Sequence, residues 1–244
     1  DVLNPMIHET PAEKVSADVR ARFEKEAARL IREGVKAFGE MAALHLSFAE
    51  GHAFEQSSPD HPLFLLLAEL AARHEVPIDL HMEAVPADMP VPAGFPNADG
   101  ITLKANVSAL ERLLEHEPKA RIVWQHIGWD NTGGMTLELL RRLLAAHPNL
   151  FLALRVEERG RTRGGEPMPH RMVDPEWKVT PAWRKLLEDF PDRFVIGSDE
   201  FFAATEGRKI PQSFEETWRI LDQLPAELAK KIGRGNAARV YRME

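Results

Sequence analysis

The chain has 244 residues, of which 44% are hydrophobic, and its formal net charge at pH 7 is −7. A chain of this size can form one substantial core, so we expect a single domain over residues 1–244. The acidic balance argues against nucleic acid as a partner, and the lack of an apolar run of about 20 residues argues against membrane insertion. Cysteine is absent, which excludes disulfides and thiolate ligands and leaves the cellular compartment undecided.

Segments typical of strands recur along the chain. The first, VLNPMIHE at residues 2–9, resembles the end of a strand. Five further apolar runs lie at residues 35–48, 76–84, 120–129, 149–156 and 193–201. Their nearly continuous apolar character is typical of parallel strands, which are buried on both faces.

Helices are predicted between these runs from apolar spacing and capping residues. Gly34 is expected to end the first helix after residue 33, and Gly233 is expected to end a helix at 225–232. In chain order, the predicted helices start after Ser16, near Pro62, after Ser108, near Thr136, after Thr180, after Ser213 and at Pro225.

The alternation of strands and helices predicts an α/β fold with a parallel sheet and crossover helices. Two architectures have this pattern, an open doubly wound sheet and a closed (β/α)8 barrel. No phosphate-binding glycine motif follows any strand, which weakens the nucleotide-binding open sheets. The long irregular segment at 157–176 is expected to be a functional loop, because compact domains rarely contain such loops otherwise.

The strand PIDLHMEA at 77–84 carries Asp79, His81 and Glu83 at alternate positions, so the three side chains share one face. Either carboxylate could orient the imidazole, and Asp79 could equally pair with an arginine elsewhere. A lone histidine in a strand is usually a core residue bonded to a backbone carbonyl. The functional interpretation therefore depends on other residues that meet His81.

Most of the apolar runs carry an ionisable residue near the carboxyl end. In a parallel barrel these ends surround one mouth, so residues far apart in sequence converge there. Imidazoles and carboxylates are the ligands that Zn²⁺ or a similar ion prefers when thiolates are absent. The residues are His81, His126, Arg155 and Asp199, with Glu40 and His45 in the first run.

The other residues near these ends have two interpretations each. Arg155 could bind a substrate carboxylate or phosphate, because its planar fork suits such anions, or it could pair with Glu157 or Glu158. His45 is a substrate contact or a packed core residue, and Trp129 is expected to line the pocket. Four histidines outside the apolar runs are expected to be exposed and without a ligand role. They are His52, His61, His116 and His147.

The segments PIDLHMEA, RIVWQHIGW, RFVIGSDEF and GNAARVY resemble the amidohydrolase superfamily of metal-dependent (β/α)8-barrel hydrolases. The resemblance is to the amidohydrolase-2 branch, with some similarity to TatD-like hydrolases. It implies that His81 and His126 bind a metal, and that Asp199 binds it too and transfers a proton. AFGEMAALH resembles a TatD-like strand whose glutamate, here Glu40, bridges two metals. The implied cofactor is one or two zinc ions, with manganese as the alternative.

One departure from this family concerns the first strand. Members of the superfamily begin with a His-x-His motif that supplies two ligands, and this sequence contains none. A barrel without its first two strands would expose unpaired strand edges, so we expect those strands to lie upstream. The sequence thus predicts a TIM barrel that is incomplete at its N-terminus. The alternative is a degenerate member of the family.

The expected function is metal-dependent hydrolysis of a small-molecule carbonyl ester, lactone or amide, or of a phosphoester. A bound metal lowers the pKa of water to about 7, and Asp199 would serve as general base and acid. Two alternatives remain open at this stage. One is a non-oxidative decarboxylase of the same family, and the other is a non-catalytic barrel that acts as a binding module. Association into a homo-oligomer is also open.

Overall fold

A computed structural model describes residues 2–46, 54–95, 98, 100–156, 160–162, 164–197, 199 and 217–243. The strands are β1 (Phe38–His45), β2 (Glu55–Gln56), β3 (Ile78–Met82), β4 (Met89–Pro90), β5 (Thr102–Leu103), β6 (Ile122–Ile127), β7 (Leu150–Leu154) and β8 (Phe194–Ile196). The main sheet has the strand order β2-β1-β3-β6-β7-β8, in which β2 is antiparallel to β1 and all other neighbours are parallel. Strands β4 and β5 form a separate antiparallel ribbon.

Four helices connect successive parallel strands of the sheet. No helix in the described part of the chain is long and apolar enough to cross a membrane. Short 3₁₀ segments lie at Ala12–Lys14 and Leu221–Gln223, and a π-helical segment lies at Lys231–Gly235. The α-helices are α1 (Leu3–Glu9), α2 (Ala17–Arg32), α3 (Pro62–His74), α4 (Val107–His116), α5 (Leu137–Ala146), α6 (Pro181–Asp189), α7 (Ala226–Lys230) and α8 (Asn236–Tyr241).

The helices α2 to α6 pack on one face of the sheet. Their apolar residues form a single buried cluster with one alternate set of strand residues, such as Leu80, Trp124 and Leu152. The opposite set forms a smaller cluster in which Val123 and Phe151 contact helix α8. A doubly wound sheet has helices on both faces, whereas barrel strands have them on one. Helices α2 to α6 form such a one-sided layer over parallel strands, and the predicted α/β barrel architecture is confirmed in this respect. Helix α8 packs on the opposite face, and the sheet formed by the described residues is open and does not close on itself.

The segment VLNPMIHE is a helix, so its prediction as a strand is wrong. Leu3 and Ile7, one helical turn apart, are both buried, and Pro5 lies in the first turn, where its missing N–H is not needed. Helix α1 lies along the edge of β1. The backbone N–H of Ala42 donates to Asn4 Oδ1 at 2.9 Å, and Nε2 of His8 lies 2.8 Å from the Ala42 carbonyl.

Capping residues located some helix starts correctly and one incorrectly. The backbone N–H of Val19 donates to Ser16 Oγ, and that of Leu139 donates to Thr136 Oγ1, as predicted. Helix α4, however, begins after Asn106 and not after Ser108. The Asn106 side chain instead joins two backbone groups after β3, because it accepts from Val85 and donates to the Glu83 carbonyl. The helix predicted after Ser213 lies outside the described residues.

The prediction that Gly233 ends a helix is wrong, since α7 continues through the π-helical segment into α8. A Cβ atom on Gly233 would lie 3.0 Å from Leu221 Cδ1, so the glycine serves close packing. The side chain of Asn236 then donates to the carbonyls of Pro191 and Phe194 at 2.9 and 2.7 Å. These two bonds attach α8 to the start of β8.

Helix α8 reaches the middle of the sheet through Tyr241, the only tyrosine of the chain. Its hydroxyl donates to Asp79 Oδ1 at 2.6 Å, on strand β3 and two residues before His81. Burial and the charge of Glu40 raise the pKa of Asp79 to about 6, although hydrogen bonds with Tyr241 and Gln125 act to lower it. The C-terminal helix therefore supports the strand that carries a predicted metal ligand.

Replacement of Tyr241 by phenylalanine should lower the free energy of unfolding by about 1.5–3 kcal/mol, because a buried carboxyl group loses a hydrogen-bond donor. Urea denaturation measures this change. The matched control is Arg242→Ala in the neighbouring residue, which removes an exposed ion pair with Glu75 and should cost less than about 1 kcal/mol. Equal losses in the two variants would contradict a structural role for the Tyr241–Asp79 bond.

Candidate metal centre

Three neighbouring strands bring Glu40, His81 and His126 together at one point of the sheet. Glu40 lies on β1, His81 on β3 and His126 on β6, and these strands are adjacent in the order β1-β3-β6. Glu40 Oε1 lies 3.1 Å from His81 Nδ1 and 3.2 Å from His126 Nε2. One ligand atom of each residue lies within 4.8 Å of the other two. His81 and His126 lie near the carboxyl ends of their strands, whereas Glu40 is the third of the eight residues of β1.

An irregularity in β6 turns His126 into this group. The residue has a φ of 62°, in the left-handed region, and the pairing register with β7 shifts between Trp124 and Ile127. Trp124 and Ile127 consequently both face the large core, although residues three apart in a regular strand point to opposite faces. Left-handed backbone in a residue other than glycine costs free energy and is concentrated at functional sites.

The protonation states of the three side chains depend on one another. Burial raises the pKa of Glu40, but the hydrogen bond and charge of His81 outweigh it and lower that pKa to about 2. Burial, and then the charge of His81, lower the pKa of His126 to about 3, which favours its neutral ring. Burial also disfavours the charged form of His81, yet Glu40 raises its pKa overall.

This donor set passes a simple test of fit to a divalent metal. Two imidazole nitrogens and one carboxylate oxygen are ligands that Zn²⁺ and Mn²⁺ accept. The side chains of His81 and His126 are 13% and 17% exposed, and that of Glu40 is 39% exposed. The group is therefore ordered by burial on the histidine side and accessible from solvent on the carboxylate side.

His45 extends the row of imidazoles at the end of β1. Its ring packs edge-to-face on that of His81, with a centroid distance of 4.7 Å, and His81 packs in the same way on His126. His45 is half-buried and thus lies next to the metal-ligand candidates. A role in substrate contact stays a prediction.

Asp199 approaches the group from the end of β8. Its Oδ1 lies 3.6 Å from His126 Nε2, and its Oδ2 accepts a hydrogen bond of 2.5 Å from Arg155 Nη1. The guanidinium of Arg155 stacks on the ring of Trp129 at 3.7 Å. The alternative partners proposed for Arg155, Glu157 and Glu158, lie outside the described residues. The predicted site residues thus occupy one region, and their individual roles remain predictions.

A cavity of about 200 Å³ opens beside Asp199 and His126. Sequence reasoning did not include four of its lining residues, which are Gln125, Ala153, Leu154 and Gly197. Gln125 could have been found, because it alternates with Val123 on the face opposite the large core. The remaining lining residues are Glu40, Asp79 and Arg155.

Other predictions for polar residues have mixed outcomes. Glu83, proposed to orient His81, accepts hydrogen bonds from the backbone and side chain of Asn131 instead. His61 and His147 were expected to be exposed, but both are buried. His61 accepts from the N–H of Leu63 at the start of α3, and its other nitrogen lies 2.9 Å from the Thr10 carbonyl. His116 is exposed as expected and pairs with Glu69, and His52 lies outside the described residues.

The sequence model of the amidohydrolase family matches residues 10–243. Because the match covers nearly the whole chain, the protein belongs to this family of enzymes, most of which depend on a metal. The predicted membership is confirmed. A comparison with curated proteins gave no match.

Solved structures with a similar fold share little sequence with this chain. An amidohydrolase 2 from Bifidobacterium longum subsp. infantis is 13% identical, with a TM-score of 0.44, over 91% of this chain and 75% of that one. A dihydroorotase from Campylobacter jejuni is 14% identical, with a TM-score of 0.49, over 91% and 61%. A 2,6-dihydroxybenzoate decarboxylase from Rhizobium is 14% identical, with a TM-score of 0.47, over 92% and 68%.

Gly128, which follows β6, permits the close approach of Trp129 to Arg155. Its φ is 109°, and a Cβ atom there would lie 2.5 Å from the Arg155 carbonyl oxygen. Gly165 also has a positive φ, of 86°, but a Cβ atom there would meet nothing within 4 Å. Alanine at either position would be strained by the positive φ, but only alanine at position 128 would also overlap the backbone of Arg155.

Replacement of Gly128 by alanine should lower the free energy of unfolding by about 1–3 kcal/mol more than Gly165→Ala does, because only the former adds overpacking to the strain. Thermal and urea denaturation of both variants measure the difference. If both variants lose the same amount, the contact between Gly128 and Arg155 does not constrain the structure.

Proposed function

We propose that this protein is a metal-dependent hydrolase that attacks a carbonyl ester, lactone or amide, or a phosphoester, of a small molecule with activated water. The observation that carries the proposal is the joint placement of Glu40, His81 and His126, with donor atoms within 4.8 Å of one another. Asp199, the general-base candidate, lies 3.6 Å from His126. Family membership supports the same class of chemistry.

Glu40, His81 and His126 would hold the metal, with Asp199 as a further ligand candidate. A divalent ion bound there lowers the pKa of water and polarises a carbonyl or phosphoryl oxygen. We propose zinc, as one or two ions, with manganese as the alternative. His126 contributes a neutral ring, and the ionised Glu40 supplies the negative charge that balances a cation.

Asp199 would accept the proton of the attacking water and return it to the leaving group. Its Oδ2 is hydrogen-bonded to Arg155, so that its Oδ1 remains the oxygen nearer to His126. A neighbouring guanidinium favours the ionised form of a carboxylate, which is the form that a general base requires. The adjacent cavity of about 200 Å³ would hold the reacting group of the substrate.

The metal ligands are tested by replacing each candidate. His81→Ala, His126→Ala and Glu40→Gln should each weaken Zn²⁺ and Mn²⁺ binding at least about 100-fold, since even residues that only support a ligand cost 10–100-fold. Isothermal titration calorimetry with each metal alone measures the affinity. His116→Ala removes an imidazole paired with Glu69 outside the site and should leave the affinity unchanged.

A wild-type protein that binds neither zinc nor manganese would refute the proposal and favour the binding-module interpretation. Binding that survives all three ligand replacements would place the metal elsewhere. In both cases the measurement of affinity requires no knowledge of the substrate.

The reaction type is tested with the metal-loaded protein and panels of esters, lactones, amides, phosphoesters and aromatic carboxylic acids. Asp199→Asn should reduce hydrolysis at least about 100-fold, because a general base contributes 10²–10⁴-fold. Release of carbon dioxide from the carboxylic acids without hydrolysis of the other panels would favour the decarboxylase over the hydrolase. Arg141→Met, a variant in the helical layer, serves as the control.

A further inference from the structure

A series of contacts links the carboxyl ends of four strands around the candidate metal centre. Glu83 follows β3, Asn131 and Trp129 follow β6, Arg155 follows β7 and Asp199 follows β8. Each member contacts the next, so the series runs from β3 in the middle of the sheet to β8 at its edge. We call it the Glu83–Asp199 series.

The first half of the series fixes the ring of Trp129. Asn131 donates from its side chain to Glu83 Oε1 at 2.9 Å and from its backbone to Oε2 at 3.3 Å. Trp129 Nε1 in turn donates to Asn131 Oδ1 at 3.2 Å. Glu83 and Asn131 are buried, and hydrogen bonds between buried groups hold a side chain in one orientation.

The second half of the series places Arg155 over this ring. The guanidinium carbon lies 3.7 Å from the centroid of Trp129, and the Arg155 residue is only 8% exposed. Stacking on an indole face is favourable for a guanidinium and restricts its rotamers. Gly128, whose missing side chain lets the loop approach the Arg155 carbonyl, makes this stack possible.

The two carboxylate oxygens of Asp199 face different residues, one Arg155 and the other His126. Arg155 Nη1 donates to Oδ2 at 2.5 Å, which leaves Oδ1 on the side of His126. Asp199 itself has a left-handed φ of 54°. A residue in that sparsely populated conformation needs contacts from its surroundings to stay there.

We propose that Arg155 and Trp129 are positioning residues: Arg155 orients the carboxylate of Asp199 toward the metal centre, and Trp129 acts through Arg155. This inference rests on the proposed role of Asp199 as ligand and base. It differs from direct substrate binding by Arg155 and Trp129, because it makes their effect depend on Asp199.

The test measures the Zn²⁺ affinity of the purified protein by isothermal titration calorimetry. Arg155→Met should weaken binding about 10-fold, as loss of a residue supporting a metal ligand does. Arg155→Lys, which keeps the charge and one donor, should recover part of that loss. Trp129→Leu should weaken binding about 3-fold, and Trp129→Leu with Arg155→Met should be no worse than Arg155→Met alone.

Matched controls remove similar contacts outside the site. Arg141→Met breaks an Arg–Asp bond of 2.6 Å to Asp189 between helices α5 and α6, and Trp177→Leu removes an indole that lies 5.4 Å from the guanidinium of Arg219. Both controls should leave the Zn²⁺ affinity within about 2-fold of wild type. Thermal denaturation of all variants shows that they are folded.

The decisive comparison uses the Asp199→Asn background. If Arg155 acts through Asp199, Arg155→Met should change the affinity less than about 2-fold in that background. An equal loss in both backgrounds, or an unchanged affinity in Arg155→Met, would overturn the proposal. A change confined to KM for substrate, with metal affinity intact, would assign Arg155 to substrate binding instead.

Crystal structures of the wild type and of Arg155→Met separate this inference from the proposed function. A wild type that binds no metal refutes the proposed function, but the position of Asp199 is still observed. The inference requires that Oδ1 move away from His126 Nε2 in the variant. An Asp199 carboxylate that keeps its position without Arg155 would overturn it.

Discussion

The site depends on one carboxylate oxygen that two imidazoles share. Glu40 Oε1 lies within 3.2 Å of nitrogens from both His81 and His126, and these residues come from three adjacent strands. An anionic carboxylate held among partly buried rings needs a positive partner, either a proton on an imidazole or a bound cation. The parallel sheet places the three side chains next to one another, because β1, β3 and β6 are adjacent strands.

The face of the sheet that carries the site is divided into an apolar and a polar part. The helices α2 to α6 cover the opposite face, so alternate strand residues on this face are free for other tasks. Val240 of α8 packs on Val123 and Phe151, and Tyr241 donates to Asp79 at the boundary. Beyond that boundary lie His81, His126 and the cavity. Helix α8 therefore supports the strands that carry the candidate metal centre, through contacts that are mostly apolar.

Preorganisation explains why several conspicuous side chains surround Asp199. A catalytic carboxylate must be held within a fraction of an ångström of its productive position, and the supporting residues must themselves be fixed. Arg155 bonds to Asp199, Trp129 stacks on Arg155, and Asn131 orients Trp129. Loops that follow parallel strands commonly differ between enzymes of one family and decide the substrate. In this protein the loop that follows β6 also contacts the residue that holds Asp199, the general-base candidate.

The sequence by itself determined the alternation of strands and helices and the starts of the helices that follow Ser16 and Thr136. Its strand pattern also indicated which ionisable residues could meet. These features follow from local periodicity and capping, which act over a few residues. Tertiary structure decided the rest, namely that α1 is a helix and not a strand, that the helical structure continues through Gly233, and that Arg155 pairs with Asp199. A short apolar segment is compatible with a helix or a strand, and its contacts with the rest of the fold decide between them. Arg155 and Asp199 are 44 residues apart, so their contact depends on how β7 and β8 pair, which no local pattern records.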